Sequence, residues 1–580
     1  MNSARTQIGS YDFRDPDYRQ VLLWADALGL EPAEIIHRLE TSTYEWMKSG
    51  VHKFRVEGGS IISLVWDFDR LPLSEFEWVD GLAIRGIFFT HPPKAPPNIS
   101  LRIPSLALLE CSGMHLKELD VSKAPALRVL ICRDNQLTKL DLSTVPGLSE
   151  LYCGSNQLTK LDLSNVAGLS DLGCENNQLK ELCLSNTPKL TRLGCYDNDL
   201  RELDLSPVQK LTELDCERNQ LAKLDISNLP LLTSLRCGEN SLTELDLSGA
   251  PALAELHCNR IQLTQLDLSH TPELTGLYCS DSGLTQIDLS MIPGLTEFSC
   301  PNNQLTEIDL LTVPRLTSLW CNGNKLTQLN LSPVPDLMLL DCERNQLTEL
   351  DLSNVPQLHY LVCGNNQLSR LDLSYVLGLA HLDYGNNPLA RLDLSNLPQL
   401  TSLDCANSRL TELDVSGMPK LRQLWCHNNL LTQLDVRPLK NLTDLECDPS
   451  VVVTKVPAQL DGAPKLNKRS DMEFFQESPV EIVSRDYWFK IVEFLQQNWA
   501  LIDSNPAGVC KVFFFDDTSG VFDRLSFLSL AEAETALRRN GFSRFADDKE
   551  AQGFIAIPEE PFREEQRLNG PIYSSGRFWR

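Results

Sequence analysis

The chain has 580 residues, a formal net charge of −26 and a pI near 4.8. This acidity opposes binding to nucleic-acid phosphates or an anionic membrane surface and favours a basic partner, although it could also serve only to keep the protein soluble. No run of about 18 apolar residues occurs, so no membrane-spanning helix is predicted, and residues 1–20 lack the apolar segment of a secretory signal.

Residues 1–100 predict a small mixed α/β domain. Helices are expected at 15–30 and 31–46, strands at 63–68 and 84–89, and a proline-rich boundary at 91–98. A repeat array follows, and every such array needs a cover over its open apolar end. We expect this domain to provide that cover, with partner docking as the alternative role.

The pattern LxxLxCxxNxLxxLDLSxxPx recurs every 21 residues from about residue 106 to residue 450. A repeat of this length with the LxxLxLxxNxL pattern is the leucine-rich-repeat signature, in which each repeat forms one turn of a solenoid. The cysteines that mark it are Cys111, Cys132, Cys153, Cys174, Cys195, Cys216, Cys237, Cys258, Cys279, Cys300, Cys321, Cys342, Cys363, Cys405, Cys426 and Cys447, with Tyr384 in the same position of one repeat. Because cysteine replaces the second leucine of the LxL strand, the array resembles the cysteine-ladder repeats of internalin J.

The predicted fold of residues 101–450 is therefore a horseshoe with a parallel β-sheet on its concave face. With 21 residues per turn, and proline recurring five residues after the aspartate of the LDLS segment, the convex side has no room for a regular helix. Internalins also carry a secretion signal and a wall anchor, and neither is recognisable here, so an adhesin role is not expected.

The ladder cysteines are expected to be buried and unpaired. They occupy one inward position of successive turns, where cysteine acts as a small apolar side chain. Strands about 4.8 Å apart bring such cysteines near one another, but in a geometry poorly matched to a disulfide. Free thiols indicate a reducing cytoplasm, although export by a specialised secretion system remains an alternative.

Two further positions of the repeat have predicted structural roles. The asparagine three residues after each cysteine should satisfy backbone groups buried at the bend. It is replaced at Ile261, Ser282 and Ser408, where we expect local irregularity. The aspartates of the LDLS segment, from Asp141 to Asp435, should bond to nearby turn backbone; a calcium role is not favoured because the GGxGxD repeat is absent.

Function is expected at the positions that the repeat leaves variable. Residues one and three before each cysteine alternate with the inward side chains, so they should point outward on the concave face. That face reads as acidic with aromatic residues set into it, the residue types that dominate interface energy and attract basic proteins. The candidate partner-binding residues are Tyr152, Asp215, Arg236, His257, Tyr278, Trp320, Asp341, Tyr360, Asp383, Asp404 and Trp425. Both tryptophans are expected to be exposed.

After Cys447 the repeat stops; residues 451–471 read as a closing segment and linker, and residues 472–580 as a small α+β domain. An amphipathic helix is predicted at 484–500, strands at 510–515 and 521–528, and a helix at 529–540. The segments FFFDDTSGVFD and IYSSGRFW loosely resemble small bacterial immunity-like proteins, which implies a toxin-related setting.

No catalytic or cofactor-binding motif is recognisable. Cys510 is the sole cysteine of residues 472–580, but all nine histidines precede this region, so no Cys/His pair can form within it. No HExxH, CxxC pair or phosphate-binding loop occurs, and no cofactor or metal is predicted.

The sequence thus predicts a monomeric, non-enzymatic scaffold that binds a basic protein, with the masking of a basic bacterial toxin as the sharper hypothesis. Two alternatives stay open. One is an effector delivered into a host cell, whose repeats select a target while an end domain acts on it. The other is a structural or sensory scaffold whose partner is one of its own end domains.

Overall fold

The computed structural model describes most of the repeat region and parts of the two ends. The described residues are 5–8, 10–41, 54–57, 60–67, 82–90, 98–263, 265–389, 392–455, 487–493, 496–504, 510–515, 520–527, 529–539, 542–547 and 563–564. They form two compact units, Met1–Pro464 and Lys465–Arg580.

The first unit begins with two short strands and two helices. The elements before the repeats are β1 Arg5–Ile8, β2 Tyr11–Arg14, α1 Asp15–Leu28, α2 Pro32–Thr41, β3 Arg55–Glu57, β4 Ser60–Asp67, β5 Gly86–Thr90 and β6 Asn98–Ser100. Both predicted helices and both predicted strands are present. Helix α1 ends at Gly29, whose φ of 64° lies in the left-handed region that favours glycine. The predicted second helix extended to residue 46, and residues 42–50 lie outside the described part.

The repeats contribute one three-residue strand each to a long parallel sheet. Its strands are β7 Leu108–Glu110, β9 Val129–Ile131, β10 Glu150–Tyr152, β11 Asp171–Gly173, β12 Arg192–Gly194, β13 Glu213–Asp215, β14 Ser234–Arg236, β15 Glu255–His257, β16 Gly276–Tyr278, β17 Glu297–Ser299, β18 Ser318–Trp320, β19 Leu339–Asp341, β20 Tyr360–Val362, β21 His381–Asp383, β22 Ser402–Asp404, β23 Gln423–Trp425 and β25 Asp444–Glu446. Each pairs in register with the strand one repeat away, for example Leu151 with Leu172.

The sheet continues into the N-terminal region. Strand β5 pairs parallel with β7 and β4 parallel with β5, while β3 adds an antiparallel edge. Two smaller parallel pairs lie at the ends of the array: β6 with β8 (Glu118–Asp120), and β24 (Gln433–Asp435) with β26 (Val452–Thr454). Residues before 100 therefore share both a sheet and a continuous apolar core with the repeats, as a cover for the array requires.

Leucine and cysteine side chains fill the core of every turn. Leu151 and Cys153 have no exposed surface, and their equivalents repeat this burial along the array. Phe298 replaces one strand leucine and Tyr384 one cysteine, and both remain fully buried. The cysteines from Cys111 to Cys447 are free thiols, as predicted for the ladder; Cys183 is exposed, and Cys447 at the end of the ladder is half-buried rather than buried. Burial raises the pKa of the ladder thiols, to about 12 for Cys153.

The convex side carries no helix in the described residues 98–263, 265–389 and 392–455, as the sequence predicted. The LDLS aspartates there behave as expected. Asp141 Oδ1, for example, accepts the backbone N–H of Ser143 at 2.9 Å, and the same bond recurs along the array. Hydrogen bonds from the side chain and the backbone of the serine two residues further on lower the pKa of most of these carboxyls. The aspartates therefore stabilise turns, and their exposed carboxylates line the outer flank.

The asparagine of each repeat ties successive turns together. Asn345 Nδ2 donates to the carbonyl oxygens of Cys321 (3.0 Å) and Cys342 (3.1 Å), and its Oδ1 accepts the N–H of Leu326 at 3.0 Å. The preceding residue, Arg344, has a φ of 53°, and this left-handed position recurs in the other repeats. The expected role of the asparagine is confirmed, whereas the left-handed residue beside it was not anticipated.

Three repeats within the array have another residue in place of this asparagine and differ from their neighbours at the bend. Ser282 Oγ donates to Cys258 O at 3.0 Å, replacing one asparagine bond, and Ser408 Oγ donates to Ala406 O at 3.1 Å. Ile261 is buried and its carbonyl accepts the N–H of Leu263, a tighter turn than in its neighbours. The sheet keeps its register through all three repeats, so the predicted irregularity is local.

The second unit contains a sheet in the order β31-β27-β28-β29-β30-β32. Its elements are β27 Tyr487–Glu493, β28 Gln496–Ser504, β29 Cys510–Phe515, β30 Gly520–Phe527, α3 Leu530–Arg539, β31 Ser543–Arg544, a short 3₁₀ turn Phe545–Asp547, and β32 Arg563–Glu564. The predicted strands and the helix that follows them are confirmed. The helix predicted at 484–500 is wrong: β27 and β28 pair antiparallel there, for instance Tyr487 with Leu501. Its aromatic and β-branched residues favour strands, and pairing with β29 outweighed the helical spacing.

No helix among the described residues is long and apolar enough to cross a membrane.

Candidate binding face

Strand residues alternate between the core and the concave surface. On β10, Leu151 and Cys153 are buried in the core, whereas Glu150 and Tyr152 are half-buried on the opposite side. Because the strands pair in register, equivalent residues form columns across the sheet. We name three: the first column is the residue three before each ladder position, the central column the residue before it, and the third column the residue after it.

The predicted partner-binding residues lie in two of these columns. Tyr360 is in the first column; the central column holds Tyr152, Asp215, Arg236, His257, Tyr278, Trp320, Asp341, Asp383, Asp404 and Trp425. They form a row across strands β10 to β23 rather than one compact cluster. The tryptophans were expected to be exposed and are instead half-buried, and Asp383 is only 6% exposed. Neighbouring strands stand about 4.8 Å apart, so large side chains in one column partly cover each other.

Sequence reasoning missed the third column. It contains Arg133, Glu175, Tyr196, Glu217, Glu343 and His427. Of these, Arg133, Glu175, Glu343 and His427 contact residues of the central column or of neighbouring turns. The sequence could have predicted this column. Side chains alternate along a strand, so the residue after the cysteine lies on the same face as the residue before it.

A connected polar network covers the first turns of the face. The Arg133 guanidinium lies over the Tyr152 ring, 5.0 Å from its centroid, and 3.3 Å from Glu175 Oε1. Arg192 Nε donates to Asp171 Oδ2 at 2.7 Å. Burial and the hydrogen bond with Asp171 raise the pKa of Tyr152 to about 12. The arginines here are therefore already held by carboxylates and an aromatic ring.

Glycines make room for the Glu175 side chain. A Cβ on Gly154 would lie 2.2 Å from Glu175 Oε1, and one on Gly173 would lie 2.9 Å from an Arg133 nitrogen. Only residues without a side chain at these two positions let the nearly buried Glu175 carboxylate reach back to Arg133.

A stacked histidine–tyrosine pair occupies the middle of the central column. The His257 and Tyr278 rings are 4.1 Å apart and 12° from parallel. His257 Nε2 lies 2.6 Å from Glu255 Oε1, and the Tyr278 hydroxyl donates to Glu297. Burial lowers the pKa of His257, while the bond from His257 lowers the pKa of Glu255. Burial raises the pKa of Tyr278, so a neutral aromatic pair faces solvent near neutral pH.

A second stacked pair lies in the first column, where the Tyr360 and His381 rings are 4.3 Å apart and 7° from parallel. Both pairs join adjacent strands. Such stacks present flat, preorganised apolar surface at little further entropic cost on binding.

The aspartates of the central column share one orientation. Asp341, Asp383 and Asp404 each accept, through Oδ1, the backbone N–H two residues further on, at 3.0–3.1 Å. Asp215 makes the equivalent bond to the N–H of Glu217 at 3.2 Å. This bond fixes each carboxylate against the sheet, so the column presents an ordered row of negative charge.

One pair of these carboxyls is held in an unfavourable environment. Burial raises the pKa of Asp215, and burial together with the charge of Asp215 raises the pKa of Glu217 to about 6. Two close carboxylates in a partly buried site resist ionising together, and nearby positive charge relieves this. Arg236 supplies part of that charge.

No group of three or more histidine, cysteine, aspartate or glutamate side chains in the described residues is arranged to hold a metal ion. The face therefore offers aromatic surface, carboxylates and engaged arginines. This composition suits the binding of a macromolecule.

Three segments of the chain match a known family. Residues 125–165, 293–333 and 398–444 match the family described as leucine-rich repeats (two copies). The repeat region is a leucine-rich-repeat solenoid. The predicted fold class is thereby confirmed, including the concave parallel sheet and the non-helical convex side. No curated protein sequence matches the chain.

Solved structures of bacterial leucine-rich-repeat proteins are similar to this chain. The functional domain of InlJ from Listeria monocytogenes, which includes a cysteine ladder, is 29% identical; the match covers 71% of this chain and 88% of that domain, with a TM-score of 0.50. YopM from Yersinia enterocolitica WA-314 is 26% identical, with 68% and 91% covered and a TM-score of 0.55. A leucine-rich-repeat protein of Leptospira interrogans, 21% identical over 59% of this chain and 95% of its own, with a TM-score of 0.55, shows the fold alone. The predicted resemblance to the internalin J repeats is confirmed.

Proposed function

We propose that the chain is a non-enzymatic scaffold whose concave face binds a protein partner with a basic surface. The composition of the central column carries this proposal: Trp320 and Trp425 flank Asp341, Asp383 and Asp404 on one rigid sheet. Tryptophan contributes strongly to binding energy at interfaces, and carboxylates around it steer a basic partner to the site.

The alternative, that the acidic residues serve only to keep the protein soluble, explains the composition of the central column less well. Charge that serves only solubility needs no aromatic rings beside it. Exposed apolar side chains elsewhere on the repeats, such as Leu311, Tyr375 and Leu377, are scattered, as on most soluble proteins. The concave rings instead stack in pairs or lie in columns with carboxylates.

The absence of catalysis is part of the proposal. The ladder thiols are buried with raised pKa values, so they are poor nucleophiles. Free cysteines support a reducing, cytoplasmic environment, and the chain is proposed to act as a monomer. The proposal concerns binding by the repeats and includes no role for Lys465–Arg580 or for the activity of the partner.

As the biological setting, we favour a bacterial cell that shields itself from a basic toxin. The acidic concave face suits the masking of a basic protein, and the similar structures of InlJ and YopM come from bacteria. The competing setting is an effector delivered into a host cell. Neighbouring coding sequence separates the two, since an immunity protein should be encoded beside its toxin.

Affinity capture from the source cell tests the proposal. The intact chain is compared with a Trp320→Ala/Trp425→Ala variant and with a Tyr375→Ala control, which removes a convex ring that is 49% exposed. Captured proteins are identified by mass spectrometry at low and physiological salt, and the folding of each variant is checked by thermal unfolding.

We expect a basic protein that is retained by the intact chain and the control, lost by the double variant and weakened by salt. Its affinity, measured with both purified proteins, should fall at least tenfold in the double variant, since tryptophans at interface centres commonly contribute about 2 kcal/mol or more. Capture that is identical for all three chains would refute a concave binding site and move the function to the ends of the chain.

A further inference from the structure

The basic residues of the three columns are confined to the first part of the face and are engaged there. Arg133 lies 3.3 Å from Glu175, Arg192 2.7 Å from Asp171 and Arg236 3.2 Å from Glu255. These ion pairs satisfy the arginines within the face. The columns of this first part, from β7 to β17, carry nine acidic residues against these three arginines, so their negative charge is partly neutralised within the face.

The second part of the face, from β18 to β25, has a different composition. Its three columns contain no lysine or arginine between Ser318 and Glu446. Their acidic residues are Asp341, Glu343, Asp383, Asp404, Asp444 and Glu446. Arg344 lies next to the third column, 3.7 Å from Glu343, with an exposed side chain. The second part therefore presents a net negative surface at close range.

Within this part, the central column runs from Trp320 through Asp341, Val362, Asp383 and Asp404 to Trp425. The tryptophans are separated by five steps between paired strands, which at about 4.8 Å each is roughly 24 Å. An extended polypeptide of about seven residues spans this distance at about 3.3 Å per residue. The column thus has the length of a short peptide segment.

A buried hydroxyl beside this column has no partner. Ser402 is 6% exposed, and its Oγ makes no hydrogen bond to any described residue. It lies in the first column on β22, two residues before Asp404, so both side chains lie on the concave side of the sheet. His381 and Gln423 flank it in register.

Buried polar groups normally have a partner. Because a hydroxyl can both donate and accept, a ligand lying along the central column could supply a partner for Ser402 after a small shift of His381 or Gln423. The unpartnered Ser402 hydroxyl is a separate observation from the negative charge of the face. It indicates a ligand over the same strands that carry the carboxylates.

We propose that the second part of the concave face, from Trp320 to Trp425, is the docking site for an arginine-rich peptide segment of the partner. This inference rests on the proposed function and adds to it the location and chemistry of the contact. Guanidinium groups bind the aspartates through paired hydrogen bonds and stack on the two tryptophan rings. Arginine satisfies both requirements, whereas lysine lacks the planar fork and the stacking surface.

A synthetic peptide tests the proposal on the full chain. Fluorescein-labelled nona-arginine, about 30 Å long when extended, is titrated at about 150 mM salt, which screens distant charges, and binding is followed by fluorescence anisotropy. The central variant is Asp341→Asn/Asp383→Asn/Asp404→Asn. The control is Asp351→Asn/Asp372→Asn/Asp393→Asn on the convex side, where Asp351, Asp372 and Asp393 accept the N–H groups of serines.

The two triple variants are matched. Both change the net charge equally, and in both the asparagine oxygen can keep the backbone hydrogen bond. We expect the control to bind within twofold of the unaltered chain and the central variant to bind about tenfold or more weakly, since each charged pair contributes a few-fold. Trp320→Ala/Trp425→Ala should weaken binding similarly. Ser402→Ala should weaken it about threefold without lowering the unfolding midpoint, because its hydroxyl makes no bond in the free chain.

Three outcomes would overturn the inference. Equal losses in both triple variants would show attraction to overall negative charge. Loss confined to a Tyr152→Ala/Tyr278→Ala variant would place the peptide on the first part of the face, which leaves the proposed function intact. Absence of binding to the unaltered chain would also overturn it, and the proposed function would then be decided by the affinity capture alone.

Discussion

Replacing Asn345 with alanine should strongly destabilise the solenoid. Its amide donates to the carbonyls of Cys321 and Cys342 and accepts the N–H of Leu326, so alanine leaves three backbone groups without these partners. Asn345 is 8% exposed, which limits their access to water. At about 1–3 kcal/mol for each of the three unsatisfied buried groups, the free energy of unfolding should fall by about 3–9 kcal/mol.

Urea unfolding followed by far-UV circular dichroism measures this loss. The matched control is Asn354→Ala on the exposed convex side, where Nδ2 bonds only to Ser353 Oγ in the same turn; its effect should stay within about 0.5 kcal/mol. Asn345→Ser should lose about half as much as alanine, since Ser282 shows that a hydroxyl at this position reaches the carbonyl of the preceding turn. A loss below 1 kcal/mol for Asn345→Ala would refute the role given to the asparagine bonds.

Three other perturbations test separate parts of the chain. A thiol-reactive dye should label Cys183 rapidly in the native protein, since it is exposed and hydrogen bonds from Ser185 lower its pKa. The buried ladder cysteines from Cys111 to Cys426 should react only after unfolding, and the half-buried Cys447 should react more slowly than Cys183. Peptide mass spectrometry maps the sites, and disulfides would contradict the assignment. Burial raises the pKa of Glu217 to about 6, above its ordinary 4.5, so its contribution to stability falls as the pH rises through this range; Glu217→Gln should raise the urea midpoint at pH 7.5 and leave it unchanged at pH 4. Gly154→Ala should cost about 1–3 kcal/mol by overlapping Glu175, and adding Glu175→Ala should recover part of that loss in the same urea assay.

The repeat region was predictable because each position of the repeat meets the same environment in every turn. The sequence therefore shows the same residue type at each inward leucine position, each buried cysteine position and each asparagine position at the bend. An exception such as Ile261 is recognised by comparison with the other turns. The aspartate turns and the helix-free convex side followed from the same regularity. The left-handed residue two positions after the cysteine did not, because arginine, serine, glutamate, aspartate, asparagine and glycine all occupy it.

The second unit offered no such repetition. Residues 484–500 carry aromatic side chains at helical spacing, and sequence alone could not weigh that spacing against pairing with β29, which follows later in the chain. Non-local pairing decided the structure, as it often does for aromatic and β-branched segments. Contacts between distant residues were also not predictable in the third column. The Glu175 carboxylate reaches Arg133, two turns away, across space left by glycines, and the sequence does not show that space.

Stability and binding use different positions in this solenoid. The leucine, cysteine, asparagine and LDLS aspartate hold each turn, and their hydrogen bonds and burial are complete within the chain. The three concave columns are free to vary because the sheet backbone, and not their side chains, maintains the register. Asp383 and Asp404 can therefore lie side by side on adjacent strands without disturbing that register. A basic partner would bring positive charge to both carboxylates at once, which is why the second part of the face is the place to look for its docking site.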